Sequence, residues 1–228
     1  YPERNITSHV VGLTDIDRKG IQGTELVFHK ELLGEEGSFE GIKGTRNLKL
    51  EGHRKEAVSG KDIKLTIDIN IQSIAYHELE KAIKEYDANA GSVVIIEPKT
   101  GAILALVSSP SFDPSDRKNL KDMSKLRNRA TVDVFEPGSV LKPLAMSAIL
   151  ESQQYTDSIE INTSPGWIEF EGYKTSDFRD YGVLNLTEII SLSSNVGMVK
   201  LCKNQDIEHL TDYYQSFGIG RYPTSIMI

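Results

Sequence analysis

The sequence predicts an α+β fold, and three observations predict it. Residues 92–96 and 102–107 are two apolar, β-rich runs around a Pro/Gly turn, which reads as a β-hairpin. Ahead of them, Ile71, Ile74, Ala75, Leu79, Ala82 and Ile83 recur at helical spacing. Behind them, residues 139–150, 186–203 and 207–217 carry further helical patterns. Helix, hairpin and then several helices indicate a sheet packed with helices.

The elements follow in order. Residues 1–60 are punctuated by glycines and read as a small, irregular, partly extended module. Within it, residues 28–33 predict one or two helical turns stopped by Gly34. Residues 64–67 predict a short strand, and Asp68 or Asn70 predicts the cap of a helix running to about Tyr86. Both strands of the 92–107 hairpin are apolar on both faces, which predicts helices on each side. Residues 109–128 are polar and contain Pro110 and Pro114, as a surface loop does. Residues 167–174 alternate around Glu171-Gly172 and predict a small hairpin, and Gly218 closes the last helix.

Composition narrows the function. Hydrophobic residues make up 39% of the 228, enough for a real core, and the formal charge is −7. A surface of that sign repels phosphate backbones, so no nucleic-acid partner is expected. Cys202 is the single cysteine and reads as a small buried hydrophobe. The histidines at 9, 29, 53, 77 and 209 make no ligand spacing, so no metal and no cofactor is expected. No apolar stretch reaches the ~18 residues that a membrane span needs. The chain starts at Tyr1 without Met and stops at Ile228, so a removed anchor or signal upstream stays open.

Chemistry enters with a Ser-x-x-Lys pair. On a helix that spacing puts both side chains on one face. A serine hydroxyl is a weak nucleophile until a base takes its proton, and a lysine serves as that base only if its pKa is lowered. The pair occurs twice. Ser115 to Lys118 lies in the polar loop with no apolar helix behind it and reads as a chance match. Ser139 to Lys142 follows Glu136-Pro137-Gly138 and precedes Met146, Ile149 and Leu150, a buried helix. The alternative there is a capping serine and a solvated lysine. Ser193-Ser194-Asn195 then interrupts an apolar helical pattern with residues that are poor in helix interiors unless their side chains are used. Its own alternative is a helix-initiating cap.

Ser-x-x-Lys followed by Ser-x-Asn matches the motif order of penicilloyl serine transferases. Residues 128–143, NRATVDVFEPGSVLKP, resemble the active-site segment of class B penicillin-binding proteins, most of all the division-specific, septal type. Residues 193–197, SSNVG, resemble the family's second motif, and residues 65–72 and 91–107 its core entry. Residues 20–25, GIQGTE, resemble its N-terminal pedestal motif, so the likeness runs over nearly the whole chain.

The resemblance implies part of a pedestal module at 1–62 and the N-terminal portion of a transpeptidase domain at 63–228. Lys99-Thr100-Gly101 spells the third motif but precedes the nucleophile and sits in a hairpin turn, so it reads as structural. No Lys-Thr-Gly follows Asn195, so a chain ending at Ile228 is expected to be impaired.

The resemblance further implies a peptidoglycan D,D-transpeptidase of septal wall synthesis. Ser139 is then the acylated nucleophile, Lys142 its base and Ser193 a proton relay, while Asn195 binds substrate. Implied partners are stem peptides, β-lactams and divisome membrane proteins including a glycosyltransferase. The implied location is the bacterial inner membrane, with the catalytic domain in the periplasm. Two other readings stay open. A serine β-lactamase or D,D-carboxypeptidase would lack the pedestal motif and, for the β-lactamase, turn over ampicillin. A non-catalytic penicillin-sensing or scaffold domain would not acylate.

Overall fold

The computed structural model describes residues 3–43, 49–116, 120, 122–156 and 158–221, which fall into two compact units meeting in sequence at Val134 and Phe135. Lys118 of the chance Ser-x-x-Lys match lies outside the described residues.

The first unit opens with short pieces, as its glycines predict. Helix α1 (Ser8–Val11) leads to strands β1 (Leu13–Thr14) and β2 (Gly20–Gln22), which pair antiparallel. Helices α2 (Gly23–Val27) and α3 (His29–Leu33) follow, the second ended by Gly34 as expected. Strands β3 (Ser38–Lys43) and β4 (Lys49–Lys55) form another antiparallel pair. The strand expected at 64–67 is absent. That segment gains a single backbone bond, Asp68 N–H to the Leu104 carbonyl at 2.9 Å, too little for a ladder.

Helix α4 (Ile69–Glu85) starts where Asp68 caps it, its carboxylate accepting the Asn70 and Ile71 N–H groups. It packs Ala75 and Tyr76 onto Ala105 and Val107 of the hairpin β5 (Gly91–Ile96) and β6 (Ile103–Ser109). Gln72 fastens this layer. Its Nε2 donates to the Ile6 and Leu106 carbonyls at 2.8 and 3.0 Å, and its Oε1 accepts from Leu106 N–H at 2.8 Å. The side chain thus pairs with Leu106 much as a neighbouring strand would. The expectation of helices over both faces fails for β5. Its burial alternates, and Val94 and Ile96 are exposed, whereas residues 105–109 of β6 are buried without interruption. A short helix α5 (Arg129–Val132) closes the unit, and Asp133 accepts from the Arg129 guanidinium at 3.1 Å.

The second unit is built on helix α6 (Lys142–Glu151), entered through a 3-10 turn at Gly138–Leu141. The expected helix start at residue 139 is therefore a tighter turn, because the α-helix begins only where Pro143 falls in its first turn and no N–H is missed. Strands β7 (Glu160–Asn162) and β10 (Val183–Asn185) pair antiparallel, and neither stands out in the sequence pattern. Between them, β8 (Trp167–Phe170) and β9 (Tyr173–Ser176) form the expected hairpin. Glu171 and Gly172 both hold positive φ, 49° and 82°, as a two-residue hairpin turn requires.

The helix expected at 186–203 is two helices, α7 (Leu186–Ser191) and α8 (Asn195–Cys202). Helix α9 (Ile207–Ser216) ends before Gly218, as predicted. The core joins Ala145, Met146 and Ile149 of α6 to Leu184, Leu186, Ile189, Met198 and Leu201. Ile149, Ile189 and Leu201 are fully buried, and each contributes about 1.5–3 kcal/mol by leaving water. Among the described residues every sheet is a two-stranded antiparallel pair.

Candidate active site

Ser139, Lys142, Ser193 and Asn195 all lie in the second unit. Ser139 sits exposed in the 3-10 turn, and Lys142 opens α6 three residues later. In a 3-10 turn, side chains three apart eclipse each other, so both leave the same side. The Ser139 carbonyl accepts the Lys142 N–H. Its hydroxyl has no hydrogen-bond partner among the described residues.

The break between α7 and α8 is what makes the rest of the site. Ser193 N–H reaches the Ile190 carbonyl at 3.1 Å and Ser194 N–H the Ile189 carbonyl at 2.9 Å. That pair of bonds is a Schellman cap, which requires a left-handed residue. Ser193 fills that position at φ 55°, where glycine is the ordinary choice. Ser194 is then the N-cap of α8, its hydroxyl oxygen accepting Gly197 N–H at 2.9 Å. A Cβ on Gly197 would meet Ile189 Cγ1 at 2.8 Å, so only glycine lets α7 and α8 come this close.

Lys142 Nζ donates to the Ser193 carbonyl at 2.6 Å, to Ser193 Oγ at 3.0 Å and to Asn195 Oδ1 at 2.6 Å. Three acceptors match the three N–H bonds of an ammonium. Burial holds this amine below the ordinary lysine range, and the Asp177 carboxylate opposes that shift. A lowered lysine pKa is what a base toward a hydroxyl needs. Once neutral, Nζ keeps two N–H bonds and one lone pair able to accept a proton.

Asp177 is a residue that the motifs miss. It follows β9 directly, and its Oδ2 accepts the Ser194 hydroxyl at 2.7 Å. Its Oδ1 accepts the Asn195 N–H at 2.5 Å and the Val196 N–H at 3.0 Å. Ser176, next to it, accepts Asn195 Nδ2 on its carbonyl at 2.9 Å. Nothing in the local sequence marks an aspartate at a hairpin's end as a partner of residues 194–196.

Lys142 also lines a cavity of about 210 Å³ with Gly138, Leu141, Ala145, Met198, Val199, Cys202 and Tyr214. Ser139, Ser193 and Asn195 do not line it. Cys202 packs against the core but is only half-buried, less enclosed than the buried hydrophobe expected, and burial pushes its thiol up, away from nucleophilic character. Residues 99–101 occupy the turn between β5 and β6, where the Thr100 hydroxyl donates to Glu97 Oε2 at 2.5 Å. That is the structural role expected of this Lys-Thr-Gly. Among the described residues no three His, Cys, Asp or Glu side chains group as metal ligands would, and no helix is long and apolar enough to cross a membrane.

The second unit thus places a serine one turn ahead of a partly buried lysine that bonds a Ser-x-Asn loop. The family model described as the penicillin binding protein transpeptidase domain matches residues 91–228. The chain belongs to that family. It is 37% identical over 222 residues to a probable peptidoglycan D,D-transpeptidase, PbpC, of Pseudomonas aeruginosa, covering 96% of this chain and 39% of the relative. It is 34% identical over 224 residues to the peptidoglycan D,D-transpeptidase FtsI of Escherichia coli, covering 97% and 37%. Among solved structures, penicillin binding protein 3 of Mycobacterium tuberculosis, known both apo and complexed with aztreonam, superposes with a TM-score of 0.82 at 31% identity. That match covers 96% of this chain and 46% of the other. The chain thus spans about two-fifths of the length of the curated relatives it matches.

Proposed function

We propose that this chain carries the acylation half-site of a peptidoglycan D,D-transpeptidase. One observation carries the reading: Lys142, one turn after Ser139, has its amine depressed by burial and bonded to both Ser193 and Asn195. In the proposed reaction, Lys142 takes the Ser139 hydroxyl proton as Oγ attacks the carbonyl of the penultimate D-alanine of a stem peptide. The Oγ–C bond forms, the C–N bond to the terminal D-alanine breaks, and a proton passes through Ser193 to the leaving amine. The amine of a neighbouring stem then attacks the ester. A new C–N bond forms, the Oγ–C ester bond breaks, and the proton lost by the attacking amine passes to Ser139 Oγ. Asn195 holds Lys142 and substrate amides. No cofactor takes part.

The aztreonam complex of the Mycobacterium relative supports acylation of Ser139 by β-lactams as well. Septal wall synthesis, divisome partners including a glycosyltransferase, a membrane anchor and a periplasmic catalytic domain belong to the same reading. So does the division of the chain into a pedestal portion at 1–62 and a transpeptidase portion at 63–228. The test is labelling of the full-length protein with a fluorescent penicillin. Parent protein is expected to label stoichiometrically and Ser139→Ala not at all. Labelling of the Ser139→Ala protein would refute the assignment. Rapid multiple turnover of ampicillin would favour a β-lactamase instead.

A further inference from the structure

The Asp177 carboxylate is joined to the Ser-x-Asn loop by more bonds than the proposed reaction uses. Its two oxygens accept from Ser194 Oγ, Asn195 N and Val196 N. Together with the Ser194 hydroxyl on Gly197 N–H, they satisfy the first three N–H groups of α8. The first-turn N–H groups of a helix have no partner of their own, and a carboxylate there meets the positive end of the helix dipole. Asn195 is held from both sides, its backbone by Asp177 and its amide by the Ser176 carbonyl, which points Oδ1 at Lys142.

Asp177 is also the negative charge that Lys142 senses. The Cys202 thiol of α8 and the Tyr214 phenol of α9 line a cavity together with Lys142. Burial pushes both up, so both are neutral through the working range. The residue that favours the ammonium is therefore the one that fixes the loop the ammonium bonds. We propose that Asp177 is a positioning residue for acylation. Its carboxylate locks Asn195 and the first turn of α8 in place and, as the counter-charge to Lys142, sets the pH at which Ser139 becomes reactive.

This inference rests on the proposed function, and one experiment separates the two. Acylation by a chromogenic β-lactam is measured from pH 5 to 9.5 in the full-length parent, Asp177→Asn and Asp177→Ala, with Ser139→Ala alongside. Asn keeps acceptors for the two backbone N–H groups but removes the charge. Its acid limb should move to lower pH by about one pH unit, the size expected for loss of one nearby charge. Asp177→Ala should acylate about tenfold or more slowly on the plateau above the limb, since it frees the loop. Circular dichroism verifies folding. A merely structural residue would change rate or stability without moving the limb. The proposal is overturned if the Asn variant's profile superimposes on the parent's, if the Ala variant acylates at the parental rate, or if neither variant folds. If only the Ala variant fails to fold, the Asn profile decides. A parent that does not acylate at Ser139 sinks the proposed function itself, a different result.

Discussion

Asn195 Oδ1 accepts a hydrogen bond from Lys142 Nζ at 2.6 Å while Asn195 Nδ2 donates to the Ser176 carbonyl at 2.9 Å. The amide is thereby oriented, with its acceptor facing the amine and its donor facing backbone. Asn195→Asp tests what that neutrality is for. A carboxylate 2.6 Å from Nζ favours the ammonium, and it loses the donor to Ser176. Lys142 would then stay protonated to higher pH. Acylation at pH 7 should fall about tenfold for each pH unit of that rise and recover as pH is raised. A rate profile unchanged from pH 6 to 9 would show that Asn195 does not face the working base.

Ser193 separates stability from chemistry. It holds the left-handed position of the Schellman cap at φ 55°, where a non-glycine residue costs about 1–2 kcal/mol. Its hydroxyl nevertheless lies 3.0 Å from Lys142 Nζ. Ser193→Gly should raise stability, by roughly 0.5–1 kcal/mol, and slow acylation at the same time. Urea unfolding and β-lactam acylation measured on the same protein check both halves. A variant that is more stable and fully active would remove the hydroxyl from the mechanism.

This strain also explains where the sequence is legible and where it is not. Short-range rules find what short-range physics decides: the Asp68 cap, the 91–109 hairpin, the Glu171-Gly172 turn, and a lysine one turn after a serine. They run α7 and α8 together because the apolar pattern continues on both sides of residues 193–195, although those residues interrupt it and Ser194 is the cap that starts α8. The break is set by bonds that no periodicity encodes, chiefly those to Asp177, 17 to 19 residues away in the chain. The strand predicted at 64–67 fails for the converse reason. Its residues suit a strand, but it meets β6 through the Thr66 hydroxyl on the Ile103 carbonyl and the Asp68 N–H on the Leu104 carbonyl, which do not make a ladder. Ser193 and Asn195 stand out as a motif; how they are held does not.

Gln72 predicts a stability effect far from the site. It is 1% exposed and makes three hydrogen bonds, two to Leu106 and one to Ile6. Gln72→Leu keeps the volume but strands two carbonyls and one N–H in a buried layer. At about 1–3 kcal/mol for each buried group left unpaired, a loss of about 3 kcal/mol or more is expected. Equilibrium urea unfolding measures it. A loss below about 1 kcal/mol would mean that the layer relaxes to admit water.

His9 gives the first unit a pH dependence whose sign can be worked out. The ring is 5% exposed, stands edge-on to Phe112 at 5.2 Å, and donates from Nε2 to the Lys125 carbonyl at 2.8 Å. Burial is the main reason that its pKa lies below the ordinary histidine value, and the Arg129 charge adds to it, while the bond to Lys125 pulls the other way. Between the lowered folded value and about 6.5 the unfolded chain binds more protons than the folded one. Stability should therefore be complete above about pH 6.5 and fall as pH drops through the folded value. The loss is at most about 1.4 kcal/mol for every pH unit that separates the folded and unfolded pKa values. His9→Gln keeps a donor within reach of Lys125 and does not titrate. The parent-minus-variant difference in unfolding free energy between pH 7 and 5 then isolates the histidine from the carboxylates. An NMR titration midpoint for His9 at or above about 6.5 would reverse the sign and overturn the prediction.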